Sequence, residues 1–127
     1  MKQIISTKKA PDAIGPYNQA TSFEKLIFTS GQIALDPETM EIVQGGVQEQ
    51  SRQVMENLKA VLEEGNSSYE NVLKTNCYLS DMDNFAAFNE IYGEYFGADT
   101  APARATVAVK TLPKNVLVEV DAIAFKN

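Results

Sequence analysis

The fold is decided near the C-terminus, where residues 102–121 read P-A-R-A-T-V-A-V-K-T-L-P-K-N-V-L-V-E-V-D. β-branched and small residues dominate both halves of this stretch, and the L-P-K-N sequence of Leu112–Asn115 divides them. We therefore predict two extended segments, Ala103–Val109 and Val116–Phe125, joined by a turn.

Side chains alternate between the two faces of a strand, which sorts these residues into sets. In the first segment, Arg104 shares a face with Thr106 and Ala108. In the second, Glu119 shares a face with Leu117, Asp121 and Ile123, opposite Val116, Val118, Val120 and Ala122. Because an Arg or a Glu is costly when buried without a partner, Arg104 and Glu119 are the first candidates for chemistry.

Composition bounds the class of protein. With 127 residues, 44% hydrophobic and 22% charged, the chain predicts a single domain, residues 1–127, with a real core. Its net charge of −6 argues against general nucleic-acid binding and against anionic membranes. The chain has no histidine, which removes Ser–His and Cys–His nucleophile pairs and every His-based metal site.

The N-terminal sequence and the single cysteine bear on location. Residues 1–5 contain no long apolar run, so we expect neither a signal peptide nor a transmembrane helix. Cys77 has no partner for an internal disulfide, which fits a reducing compartment and argues against a structural zinc site. The sequence predicts a cytoplasmic protein in which Cys77 is an inert buried thiol.

Six further elements follow from periodicity and from turn residues. Gly31, at or near the end of one strand, indicates a bulge or a close approach by ligand or chain. Gly65 is expected to end the first helix, and Asp81 or Asp83 to cap the second. The predicted strands are Gln3–Ser6, Asn18–Ser22, Leu26–Ile33 and Val72–Leu79, and the predicted helices are Val47–Glu64 and Met82–Phe96.

This order of elements predicts an α+β fold in which two helices cover one face of a sheet. The other face would carry apolar residues such as Leu117, Ile123 and Phe125. An open sheet face of this kind would be an unusually large exposed patch. Self-association is the simplest way to cover it.

Five motifs follow one another over nearly the whole chain: Gly15-Pro16-Tyr17, Thr29-Ser30-Gly31-Gln32, Phe85-x-x-x-Asn89-x-x-Tyr92, Pro102-x-Arg104 and Val118-Glu119-Val120. In this order and spacing they resemble landmarks of the Rid family (reactive intermediate deaminases, also called the YjgF family). Two positions depart from the most familiar pattern: Thr106 stands where many relatives have Cys, and Asp121 where Glu is common.

The resemblance implies a chorismate-mutase-like α+β fold, related to ferredoxin-like folds, that assembles as a homotrimer with ligand clefts between subunits. It also implies a 2-iminobutanoate/2-iminopropanoate deaminase without metal or organic cofactor. Such an enzyme hydrolyses reactive enamines and imines, including 2-aminoacrylate, to 2-keto acids and ammonia.

The implied substrate carries a carboxylate beside a C=N carbon, and two residues fit its needs. Arg104 would grip the carboxylate with two parallel hydrogen bonds; the alternative is a structural ion pair. Glu119, with a pKa raised by burial, would position the water and shuttle protons. Its alternative is a buried salt bridge, with Arg104 as one possible partner.

Five more residues are candidates for substrate binding. Tyr17 would supply a hydroxyl and an aromatic wall, Ser30 a hydroxyl and Gly31 a backbone N–H. Thr106 would bond the water or the substrate, and Asn89 would reach a neighbouring cleft. The bland alternatives are loop packing for Tyr17, turn geometry for Ser30 and Gly31, an ordinary strand position for Thr106, and hydrogen bonding within one subunit for Asn89.

Other functional classes remain open at this stage. A non-catalytic sensor of small carboxylate metabolites would need Arg104 but not Glu119. A ribonuclease that inhibits translation is disfavoured by the acidic charge and the absence of histidine. A holdase-like chaperone would need exposed apolar surface that self-association would bury.

Overall fold

Two helices, α1 (Val47–Glu64) and α2 (Phe85–Tyr95), pack against one face of a six-stranded sheet in the computed structural model, which describes residues 1–127. The spatial order of the strands is β1-β2-β3-β6-β4-β5, and only the β4–β5 pair is parallel. The predicted α+β class is confirmed. The strands are β1 (Gln3–Ile5), β2 (Ala20–Phe23), β3 (Leu26–Thr29), β4 (Val72–Leu79), β5 (Ala103–Ala108) and β6 (Val118–Phe125).

The two C-terminal strands are consecutive in sequence but are not neighbours in the sheet. β4 lies between them, parallel to β5 and antiparallel to β6. The connection passes through a 3-10 turn, Pro113–Asn115, in which Lys114 and Asn115 have φ of 55° and 57°. Two successive non-glycine residues in the left-handed region fix the direction of this turn at a cost in backbone strain.

The inner face of the sheet holds the core. Val118, Val120, Ala122 and Ala124 of β6 are buried at every second position, as the alternation predicts. They pack with the apolar stripe of α1, in which Val54, Met55, Leu58, Val61 and Leu62 are buried. The aromatic stripe of α2 is also core, with Phe88, Tyr92 and Phe96 buried and Phe85 and Tyr95 partly buried.

The ends of α2 and β6 differ from the predicted boundaries. α2 begins at Phe85 instead of Met82, because Asp81 accepts a hydrogen bond from the Asp83 N–H (2.8 Å) and starts a 3-10 turn first. It ends at Tyr95, one residue before the predicted Phe96. β6 begins at Val118 instead of the predicted Val116. The Leu117 N–H donates its hydrogen bond to the Gln50 side-chain oxygen (2.9 Å) and not to a neighbouring strand.

The β2–β3 hairpin is also shorter than predicted. β2 starts at Ala20, because Gln19 is used to hold the preceding loop, donating from Nε2 to the Pro11 carbonyl (2.7 Å). β3 stops at Thr29, and pairing resumes only at an isolated bridge between Gln32 and Val120. The break between them contains Gly31.

The outer face of the sheet is left without cover by the helices. Phe28 and Val107 expose 45% and 48% of their surface there, although both are apolar. Ile4, Phe23, Leu26 and Phe125 are also exposed on this face. The expectation of an open apolar sheet face is confirmed. Neither helix is long and apolar enough to cross a bilayer.

Candidate functional site

The side chain of Glu119 lines a cavity of about 380 Å³ at the end of the β2–β3 hairpin. The β6 alternation turns its side chain to the outer face, and β4 places Tyr78 directly opposite. Three of the predicted site residues, Tyr17, Ser30 and Gly31, line the same cavity. Its other walls are formed by Pro11, Asp12, Ile14, Gln32, Ile33, Leu35, Pro113 and Lys114.

The carboxylate of Glu119 lies directly against Gly31. A Cβ built on Gly31 would stand 2.8 Å from the carboxyl carbon of Glu119 and would collide with one of its oxygens. This is the close approach that the sequence indicated, and the approaching group is a side chain of the same chain. Only glycine at this position lets Glu119 occupy its place over the hairpin end.

Gly31→Ala is expected to displace Glu119 without unfolding the protein, because the obstructing atoms belong to a flexible side chain. If Glu119 acts on the substrate, we expect kcat/KM to fall by about a hundredfold. A suitable control is Gly46→Ala, where the nearest atom to the new methyl group would be 3.9 Å away. Equal activity of the two variants would show that the position of Glu119 is immaterial.

The environment of Glu119 opposes its ionisation. Burial raises the pKa of Glu119 above its ordinary value of 4.5, and the negative charge of Asp121 raises it further. Glu119 forms no ion pair, since the two salt bridges of the chain are Lys8–Asp12 and Arg52–Glu94. The alternative of a structural salt bridge with Arg104 is therefore wrong within one chain.

Tyr17 and Ser30 frame the same cavity. Tyr17 is 48% exposed, and its hydroxyl accepts only a long bond from the Ile14 N–H (3.4 Å). Ser30 donates its hydroxyl proton to the Asn18 carbonyl (2.5 Å), so its oxygen can only accept from a ligand. The Ser30 bond is the turn geometry foreseen as its alternative, and it leaves the Gly31 N–H as the donor of this loop.

Arg104 lies in a second depression, of about 460 Å³, between β5 and α2. Its guanidinium donates to the Asn89 side-chain oxygen (2.7 Å) and stacks 4.7 Å above the Tyr92 ring and 5.4 Å from the Phe85 ring. These contacts hold the guanidinium plane while the residue as a whole stays exposed. Asn89 thus takes the alternative expected for it, a hydrogen bond within one subunit, and it orients Arg104.

Thr106 is next to Arg104 on the same face of β5, as predicted, and pairs with Cys77 of β4. Its hydroxyl is buried without a hydrogen-bond partner in the chain. Cys77 is 1% exposed, and burial raises the pKa of its thiol to about 11. The predicted burial of this thiol is confirmed, and its raised pKa disfavours the reactive thiolate.

Arg104 and Glu119 face opposite sides of the sheet. Arg104 pairs with Thr75, which is buried on the helix side, whereas Glu119 pairs with Tyr78 on the outer side. Two strand spacings of about 4.8 Å and three residues of about 3.3 Å put their Cα atoms roughly 14 Å apart. One chain therefore holds two half-sites, an acidic one around Glu119 and a basic one around Arg104.

Two residues of the basic half-site were not among the site residues predicted from the sequence. Phe85 and Tyr92 support the guanidinium from below, and Tyr92 also bonds the Thr75 hydroxyl (2.8 Å). Their spacing contained a signal, because Phe85, Asn89 and Tyr92 fall at i, i+4 and i+7 on one helix face. Nowhere does the chain gather three His, Cys, Asp or Glu side chains that could hold a metal ion.

Comparison with known proteins places the chain in a family. Residues 7–126 match the family model described as Endoribonuclease L-PSP, the YjgF/Rid family. The chain belongs to the Rid family. A RutC family protein of Pyrococcus abyssi is 52% identical over 98% of each chain. The mouse protein named 2-iminobutanoate/2-iminopropanoate deaminase is 44% identical, over 99% of this chain and 93% of its own.

Solved structures of Rid-like proteins agree in fold over the full length. Yeast Mmf1 superposes with a TM-score of 0.96 at 41% identity and covers 100% of both chains. Escherichia coli TdcF, solved with bound serine, superposes with a TM-score of 0.92 at 40% identity, covering 98% of this chain and 99% of its own. The Rid resemblance read from the five motifs is therefore correct.

Proposed function

We propose that this protein is a hydrolytic deaminase of small 2-imino acids and their enamine tautomers, working as a homotrimer with its sites between subunits. The observation that carries the proposal is the division of the two half-sites between opposite faces of one sheet. Neither half-site alone can both hold a carboxylate and deliver water to the carbon beside it. The name of the mouse relative supports the substrate class.

The assembly part of the proposal rests on the outer face. Phe28, Val107 and Phe125 would be buried if a second copy packed there. The same packing would bring the acidic half-site, which opens on that side, toward the basic half-site of a neighbour. A head-to-tail contact of this kind closes when the subunits form a ring, and three subunits make the smallest such ring.

In the proposed reaction, Arg104 of one subunit holds the substrate carboxylate with two parallel hydrogen bonds. Asn89 and the rings of Tyr92 and Phe85 keep the guanidinium in place. Gly31 and Tyr17 of the adjacent subunit line the cavity, where the Gly31 N–H would donate to the substrate and Tyr17 would form a wall. This arrangement fixes the C=N carbon relative to Glu119.

Glu119 then manages the water. As it accepts a proton from water, the oxygen bonds to the C=N carbon of the protonated imine, giving a carbinolamine. The proton passes from Glu119 to the nitrogen, the C–N bond breaks and ammonia leaves. As the C=O bond forms, the Glu119 carboxylate accepts the hydroxyl proton and releases it to solvent, which balances the proton brought in by the protonated imine. One water is consumed, one 2-keto acid and one ammonia are produced, and no electron changes hands. A carboxyl with a raised pKa suits this exchange, because it both takes and returns a proton.

A coupled assay tests the proposal. Threonine dehydratase generates 2-iminobutanoate, semicarbazide traps the imine that survives, and the protein is added in catalytic amounts. We expect the trapped imine to fall with added protein. If a folded, assembled protein leaves the trapped imine unchanged, the deaminase proposal is wrong, and binding of 2-keto acids becomes the next measurement, for a sensor of carboxylate metabolites.

A further inference from the structure

The outer face carries a small group of polar residues in the middle of its apolar surface. Asn76 and Tyr78 of β4 pair in register with Asp121 and Glu119 of β6, so the four side chains form a square on one face. We call Asn76, Tyr78, Glu119 and Asp121 the outer-face polar cluster. All four are half-buried. Only Glu119 has a role in the proposed reaction, which leaves the other three without one.

Asp121 is the fixed member of this cluster. Its Oδ1 accepts a hydrogen bond from Asn76 Nδ2 at 2.9 Å, across the pair of strands. As the second residue after Glu119 on the same face, it stands about 7 Å along the strand from it. Asn76 therefore holds a negative charge beside Glu119 at a set distance.

The charge of Asp121 raises the pKa of two neighbours in the cluster, Glu119 and Tyr78. After burial, it is the second cause that raises the pKa of Glu119. Tyr78 behaves in the same way, since burial first and Asp121 next raise the pKa of its phenol, with a smaller contribution from Glu119. On this half-buried patch the charge of Asp121 thus opposes the ionisation of both Glu119 and Tyr78.

The other charged or hydroxyl-bearing side chains around Glu119 come from the cavity walls. Asp12 and Tyr17 approach from the N-terminal loop and Lys114 from the 3-10 turn. Lys114, the one cation among them, forms no ion pair with Glu119, and the carboxylate of Asp12 is paired with Lys8 (3.9 Å). Asp121 is therefore the nearby charge that affects the pKa of Glu119.

We propose that Asp121, held by Asn76, is a positioning residue for the reaction, because its charge, fixed beside Glu119, favours the uptake and return of a proton by Glu119. This inference rests on the proposed deaminase function, because it assigns Glu119 that proton exchange. The bland alternative is a cross-strand hydrogen bond between Asn76 and Asp121 that only aligns β4 with β6.

Asp121→Asn separates these two readings. An asparagine at this position keeps an oxygen to accept from Asn76 and so keeps the cross-strand bond, but it removes the charge. Asp121→Glu restores the charge on a longer side chain. Glu64→Gln, at the exposed end of α1, removes one carboxylate elsewhere on the protein and controls for net charge.

Two measurements are made on each assembled variant. The first follows the Glu119 carboxyl by ¹³C NMR against pH, with Glu119→Gln used to assign its signal. The second is the pH profile of kcat/KM in the coupled assay. For Asp121→Asn we expect the NMR titration of Glu119 to move to lower pH. The part of the kcat/KM profile that follows the ionisation of Glu119 should move to lower pH with it. Activity at pH 7 should fall about threefold to tenfold, because Glu119 becomes a weaker base.

We expect Asp121→Glu to return both curves toward wild type and Glu64→Gln to leave them unchanged. An unmoved NMR titration in Asp121→Asn would overturn the inference, as would a moved titration with an unmoved kcat/KM profile. If the wild type has no deaminase activity while its NMR titration responds to Asp121→Asn, the proposed function fails, and with it the role of Asp121 in the reaction. The electrostatic coupling itself would then remain as a measured fact.

Discussion

Arg104→Ala is expected to lower kcat/KM for 2-imino acids by about a hundredfold to ten-thousandfold. Two hydrogen bonds to a charged group contribute roughly 1.5–3 kcal/mol each, and every 1.4 kcal/mol is about tenfold in rate. The fold should persist, because Arg104 is exposed and contacts only Asn89 and two aromatic rings. The coupled assay and a thermal melt measure the two quantities.

Arg52→Ala is the matched control for this variant. Arg52 also loses a two-pronged interaction on mutation, since its guanidinium bonds both oxygens of Glu94 (3.0 and 3.1 Å) on the helix surface. We expect Arg52→Ala to keep full activity. Arg104→Lys should be intermediate, because the charge remains but the planar fork is lost. Full activity of Arg104→Ala would mean that another group holds the substrate carboxylate.

Glu119→Gln is expected to lower kcat by about a hundredfold to ten-thousandfold, the range of general acid–base catalysis. Substrate binding should change much less, because Arg104 is intact, and KM compared with kcat separates the two effects. A deaminase that keeps its kcat without this carboxyl would rule out the proposed handling of water.

The same variant has an expected signature in stability. Burial and Asp121 raise the pKa of Glu119 above 4.5 in the folded chain, so the folded state binds its proton more tightly than the unfolded state does. Ionised Glu119 therefore lowers the free energy of unfolding as pH rises above that ordinary value, and neutral glutamine does not. Glu119→Gln should melt at or above the wild-type temperature at pH 7 and lose that advantage toward pH 4.

Much of the fold follows from local sequence patterns. The alternation in β6 identified which residues are buried, and the apolar stripe identified α1 from Val47 to Glu64. Gly31 indicated a close approach, which proved to be that of Glu119. Each of these features depends on a residue and its near neighbours in the chain, which is why sequence alone carries them.

The relation between the two half-sites did not follow from the sequence. Alternation assigns residues to the two faces of a strand, but it does not say which strand lies beside which. The insertion of β4 between β5 and β6 sets the register that turns Arg104 and Glu119 to opposite sides. The predicted start of α2 was also wrong, because periodicity does not distinguish a 3-10 turn from an α-helical one. The hydrogen bond accepted by Asp81 makes the turn before Phe85 a 3-10 turn.

The roles assigned to Tyr17, Ser30, Asn89 and Thr106 remain predictions of unequal standing. Tyr17 has a weakly bonded hydroxyl at the cavity, and Thr106 has an unpartnered buried one. The Ser30 hydroxyl already donates to the Asn18 carbonyl, and the Asn89 side-chain oxygen already accepts from Arg104. We therefore expect Asn89 to act mainly through the orientation of Arg104.

The central claim is that each site combines Arg104 of one subunit with Glu119 of another, and complementation tests it most directly. Arg104→Ala and Glu119→Gln chains with different tags are co-expressed, and assemblies carrying both tags are isolated and assayed. Each chain supplies the half-site that the other lacks, so every trimer that carries both tags has one intact site of three and should show about one third of wild-type activity. The two variants purified separately should both be nearly inactive. Mixed assemblies that are as inactive as their parents would contradict a site shared between subunits.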